Sequence, residues 1–138
     1  MIKLICGLNG SGKTRKMIEI ANSMVDQLEG KMVYIEANNK HIYELEHNVR
    51  YVNTKEYGIN SVDLMHGFIC GMLATNYDIE KVFIDGLYKI AKIVTEEEAN
   101  ELIVVLQELS DKFNVDFYCS LNFAMDQIPE SLKSMIYV

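Results

Sequence analysis

Eight residues near the amino terminus, Gly7-Leu8-Asn9-Gly10-Ser11-Gly12-Lys13-Thr14, match the phosphate-binding pattern G-x-x-x-x-G-K-[ST] in full. The chemistry follows from the residue types. Glycines let the backbone turn tightly with its N–H groups facing inward, so Gly10 through Thr14 can donate to phosphate oxygens at the start of a helix. Lys13 then neutralises β- and γ-phosphates, and the Thr14 hydroxyl can ligate Mg²⁺. Gly7, Asn9, Gly10, Ser11, Gly12, Lys13, Thr14 and Arg15 are therefore the candidate nucleotide contacts, although Arg15, one residue into the first turn, is expected to point away from the phosphates. A second chemical group is Asp85, which follows Val82-Phe83-Ile84 and fits a carboxylate placed at the end of an apolar strand to hold Mg²⁺ directly or through water. With Thr14 it makes up the expected metal set. Hydrolysis would further need a side chain that positions and deprotonates water, and Glu36 is the candidate.

These groups must be held by a scaffold, and hydrophobic periodicity supplies one. Ile2-Lys3-Leu4-Ile5-Cys6 reads as a buried strand entering the glycine-rich loop, and an amphipathic helix from Gly12 to Leu28 leaves it, with Met17, Ile18, Ala21, Met24, Val25 and Leu28 on one face. Lys31 to Glu36 is a second strand. Asn39 can cap a short helix through Asn48, and Arg50 to Asn53 is a brief edge strand. Ser61 caps a helix with Val62, Met65, Ile69, Met72 and Leu73 at helical spacing, and Lys81 to Asp85 is an apolar strand ending in a carboxylate. Thr95-Glu96-Glu97-Glu98 is a capping box opening a long helix whose buried face is Ala99, Leu102, Ile103, Leu106 and Leu109. Val115 to Leu121 is a strand ending at Asn122, Pro129 precedes a last short helix, and Met135 to Val138 reads as a final strand. Strands alternating with helices predict an α/β fold: a three-layer parallel sheet of about five strands with helices on both faces, in one domain over residues 1–138. In such a sheet ligands lie beyond the carboxyl ends of the strands, where the loop, Glu36 to Asn38, Asp85, and Ser120 to Asn122 all fall.

GLNGSGKT at 7–14, VFIDGL at 82–87 and ELIVVLQELSDKFNVDFYCSLN at 101–122 resemble the P-loop NTPases, and most closely their RecA-like branch. The resemblance spans nearly the whole chain. It implies the P-loop NTPase fold, ATP and Mg²⁺ as ligands, and a catalytic set of Lys13, Glu36, Asp85 and Asn122, with Asn122 or Ser120 in the place of the polar residue that senses the γ-phosphate or attacking water. Two departures stand out. Gly86 replaces the acid that many relatives carry after the strand-terminal Asp, and the acid at the end of the second strand is Glu36, with Asn38 an alternative equivalent. The implied function is a Mg-ATP-binding protein with slow or partner-stimulated ATPase activity, a switch or one subunit of an assembly, partnered by copies of itself or by another protein. A small-molecule kinase and a non-catalytic nucleotide-binding module are the alternatives. The kinase is disfavoured because Arg15 and Arg50 are the only arginines, too few for an arginine-bearing lid; GTP is disfavoured because no N-K-x-D pattern occurs.

Composition narrows the partners. The net charge of −7 resides wholly in residues 76–138, with twelve acidic and five basic side chains, while residues 1–75 carry eight of each. That balance makes nucleic acid an unlikely partner, since its affinity comes from Lys and Arg facing phosphates. No apolar run reaches membrane-spanning length, and the chain enters its first strand and loop at once, leaving no room for a signal peptide; a cytoplasmic location is expected. Cys6, Cys70 and Cys119 are isolated in apolar segments and read as reduced core residues. His41 and His47 lie in a polar stretch and read as surface residues, His66 as a helix-surface or satisfied core residue.

Overall fold

A computed structural model describes residues 1–137. Five strands, β1 (Ile2–Cys6), β2 (Lys31–Glu36), β3 (Val49–Asn53), β4 (Ile79–Ile84) and β5 (Asp116–Leu121), form a single sheet in the order β1-β5-β4-β2-β3, and every pairing is parallel. Among the described residues four α-helices accompany them: α1 (Lys13–Met24), α2 (Val62–Thr75), the single turn α3 (Leu87–Ile90) and α4 (Glu96–Phe113).

The period-two alternation of the strands sorts their side chains between two cores. Leu4, Cys6, Val33, Ile35, Val82, Ile84, Phe117 and Cys119 pack with Met65, Ile69 and Leu73 of α2 and Leu102, Ile103 and Leu106 of α4. The intervening residues, Ile5, Met32, Tyr34, Phe83 and Tyr118, pack with Met17, Ile18 and Ala21 of α1. Both faces are thus covered, which explains why the strands are apolar on both sides. On the α1 face the rings of Tyr51, Tyr34, Phe83 and Tyr118 form one stacked row across four strands, with centroid separations of 6.0, 5.8 and 4.5 Å.

Helix starts follow the sequence closely. Ser61 accepts from Leu64 N–H at the head of α2, and Thr95 accepts from Glu98 N–H at the head of α4. Two expectations need correction. Residues 39–48 form only a 3₁₀ turn at Ile42–Glu44, because Asn38 captures the Lys40 N–H with its side chain and competes with a helical start. The carboxyl-terminal strand reduces to one parallel bridge between Leu4 and Ile136, Met135 ending a 3₁₀ helix over Glu130–Met135, and Val138 lies outside the described residues. No helix among the described residues is long and apolar enough to cross a membrane.

Candidate functional site

Strand register gathers the polar residues into one line. Ile5 pairs with Ser120, Ile84 with Cys119, Ile35 with Ile84, and Glu36 with Asn53. By this register Ser120, Asp85 and Glu36 stand side by side at the carboxyl edge, Asp85 one step past the last paired residue of β4. Alternation aims all three to the α1 side, directly beyond the aromatic row. β1, which feeds the glycine-rich loop, and β4, which feeds Asp85, are separated by β5 alone.

The loop closes against this edge. Gly7 N–H donates to the Leu121 carbonyl at 3.3 Å and Ser11 N–H to the Leu8 carbonyl at 3.2 Å. Gly12 caps α1 at φ 85°, a left-handed conformation that favours glycine, and it offers no side-chain cap. The first-turn amides are left without the hydroxyl partner that α2 and α4 possess. Lys13 is buried and folds back, its Nζ donating to the carbonyls of Gly7 (2.7 Å) and Leu8 (3.0 Å). Burial lowers its pKa, the charge of Asp85 draws it back up, and the nearby Lys89 lowers it further. Thr14 is half-buried in the first turn, and Gly10 and Ser11 are exposed. Arg15 is 87% exposed and pairs with Glu19 at 3.7 Å, on the outer side of α1 and away from the loop.

Asp85 is 6% exposed and fully engaged. Its Oδ2 accepts from the Tyr34 hydroxyl at 2.9 Å and its Oδ1 from the Ser120 hydroxyl at 3.0 Å, while Ser120 Oγ accepts from Gly86 N–H at 2.6 Å. Ser120 thus positions Asp85. Asn122 lies beyond it, half-buried, with an Oδ1 that is shielded from solvent and has no protein partner. Gly86 holds φ 83°, a left-handed conformation that favours glycine at the position next to Asp85.

Glu36 is 5% exposed. Both its oxygens lie 3.0 Å from His41 Nδ1, and it accepts from the Tyr51 hydroxyl, which also lies 2.8 Å from the Asn38 carbonyl. Burial raises the Glu36 pKa; the hydrogen bonds from Tyr51 and His41 oppose this, and Asp85 adds to it. Asn38 instead spends its side chain on the turn. His41 is a correction: it is 27% exposed and bonded to Glu36, because the 3₁₀ turn folds its ring back over the end of β2, whereas His47 is exposed.

Tyr34 and Tyr51 carry hydroxyls whose pKa values are raised by burial first and by the adjoining carboxylates second, so both remain donors. Sequence pattern marks them only as strand residues. Tyr88 and Lys89, on the turn after Gly86, were equally unmarked, and the Tyr88 hydroxyl reaches Asn9 Oδ1 at 3.2 Å. The buried thiol of Cys6 beneath the loop is pushed up to about 11 and that of Cys119 is also raised, as inert core groups would be.

The head of α1 thus carries first-turn N–H groups with no side-chain cap, Thr14 lies half-buried in that turn, and both Asp85 oxygens accept hydrogen bonds from hydroxyls. No cluster of three or more His, Cys, Asp or Glu suited to a metal occurs among the described residues. No model of a known protein family matches the chain, and neither does any curated protein.

Proposed function

We propose that the chain is a P-loop nucleotide-binding protein of the RecA-like kind, binding Mg-ATP and hydrolysing it slowly until it self-assembles or meets a protein partner. The observation that carries this is the head of α1. A complete G-x-x-x-x-G-K-T loop precedes it, and it lacks the side-chain cap that both other long helices have. Asp85 supports the reading from the opposite side, two strands away on the same edge. The shielded Oδ1 of Asn122 is a buried acceptor whose unmet need a donor, such as a water held by phosphate, would fill.

The expected steps are electrostatic. Lys13 would exchange the Gly7 and Leu8 carbonyls for phosphate oxygens, the first-turn amides and Gly10 to Gly12 would cradle the chain of phosphates, and Thr14 with Asp85 would hold Mg²⁺. Glu36 would orient water, but its carboxylate is bound by His41 and Tyr51, Arg15 is paired with Glu19, and Arg50 lies on the far-edge strand β3. Rapid turnover by the isolated chain is therefore not expected, because a trans arginine alone contributes about 10³–10⁵ in rate in related chemistry.

Calorimetry with ATP and Mg²⁺ tests the binding: Lys13→Ala should abolish it and leave the unfolding transition in place. Phosphate release should run slower than about one per minute, far under the common enzyme median of ~10 s⁻¹, and rise with protein concentration or a partner. Unchanged affinity in Lys13→Ala would refute the proposal. Transfer of phosphate to one of a panel of nucleosides would replace it with a kinase.

A further inference from the structure

The turn α3 brings a second lysine to the loop. The Tyr88 ring centroid lies 5.7 Å from Lys13 Nζ and also 5.7 Å from Lys89 Nζ, and the Tyr88 hydroxyl ties the ring to Asn9 of the loop. Lys89 is aimed by its backbone. Its N–H donates to the Gly86 carbonyl at 2.9 Å, and its stem crosses Gly86 so closely that a Cβ there would sit 3.6–3.8 Å from its Cβ, Cγ and Cδ. Lys89 is exposed and belongs to none of the ion pairs among the described residues. Two ammonium groups thus lie over one ring beside the glycine-rich loop, near enough that the charge of Lys89 disfavours that of Lys13, a repulsion that an anion bound at the loop would relieve.

We propose that Lys89 is a second phosphate-facing cation of this site and that it distinguishes a nucleoside triphosphate from the diphosphate. The inference rests on the nucleotide-binding reading of the loop. The loop amides and the head of α1 serve the inner phosphates, whereas Lys89 approaches from the Asp85 side, where the end of the phosphate chain and its cation would lie. Its charge meets the group that only the triphosphate has. Lys89 would also supply the positive charge that Arg15, paired with Glu19, and Arg50, on the far-edge strand β3, are not placed to give.

The test compares Mg-ATP and Mg-ADP affinities of the full chain by calorimetry for wild type, Lys89→Gln, Lys89→Arg and Lys13→Ala. Lys89→Gln should lose roughly tenfold in ATP affinity and less than about twofold for ADP, the scale of one charge-assisted contact, and Lys89→Arg should restore most of the difference. The unfolding midpoint should not move, since Lys89 is exposed. Equal losses for both nucleotides, or no loss for ATP, in a protein whose Lys13→Ala variant has lost binding, would overturn the assignment of Lys89 alone. Binding undiminished by Lys13→Ala, or absent from wild type, would overturn the reading of the loop and the inference with it.

Discussion

Replacing Tyr34 by Phe removes one oxygen and keeps the ring that stacks between Tyr51 and Phe83. The lost group is a buried hydroxyl donating to Asp85 Oδ2 at 2.9 Å, and its raised pKa keeps it a donor throughout the ordinary pH range. A hydrogen bond to a charged group contributes about 1.5–3 kcal/mol, and its loss leaves a carboxylate that is only 6% exposed with one hydroxyl donor fewer, so we take ~2 kcal/mol. For 138 residues, an unfolding entropy of about 2.1 cal/mol/K per residue comes to roughly 0.3 kcal/mol/K. Tyr34→Phe should therefore lower Tm by about 7 °C in circular dichroism melts of the ligand-free protein. A double-mutant cycle with Asp85→Asn isolates the pair: the cost of Tyr34→Phe should shrink by at least ~1 kcal/mol when Asp85 is already neutral. A shift smaller than about 2 °C, or the same cost in both backgrounds, would show that the hydroxyl does not support the carboxylate.

Two further substitutions probe the carboxylates. Asp85→Asn should weaken the Mg²⁺ dependence of ATP binding more than binding without metal, because the amide still accepts a hydrogen bond but cannot balance a cation; an unaltered Mg²⁺ titration would return Asp85 to a structural role at the strand end. Glu36 holds its proton more tightly in the fold than in the unfolded chain, so its contribution to stability is fully present below its ordinary value of 4.5 and is lost as pH rises through the raised one. Glu36→Gln cannot titrate, so its stability relative to wild type should climb across that interval in denaturant melts; a flat difference from about pH 4 to about 8 would contradict the direction of the shift, with His41, Tyr51 and Asp85 the neighbours to re-examine.

Much of the scaffold was legible because hydrophobic alternation and capping are local. Ser61 and Thr95 marked the heads of α2 and α4, and Val82-Phe83-Ile84 and Phe117 to Leu121 were strands by their own composition. Strand order was not legible, because register is a property of pairs: nothing in the sequence of β5 says that it enters between β1 and β4 and so brings Ser120 to Asp85. Glu36, Asp85 and Lys13 were recognisable by type and position. Their partners Tyr34, Tyr51, His41, Tyr88 and Lys89 were not, since a tyrosine in an apolar strand reads as core, and only the fold reveals that its hydroxyl reaches past the core. At residues 39–48 the reason is the opposite: Asn39 has the type of a helix cap, but the Asn38 side chain satisfies the backbone locally and only the 3₁₀ turn at Ile42–Glu44 forms.

The stacked ring row has an optical consequence. The chain has no tryptophan, so its near-ultraviolet emission belongs to its eight tyrosines. Two of them, Tyr34 and Tyr51, hydrogen-bond through their hydroxyls to Asp85 and Glu36, and phenols bound to carboxylates are dim because the excited state gives up its proton. Drawing Asp85 or Glu36 away from its phenol should therefore brighten the tyrosine emission, and the unlabelled chain would report on both carboxylates by its own fluorescence.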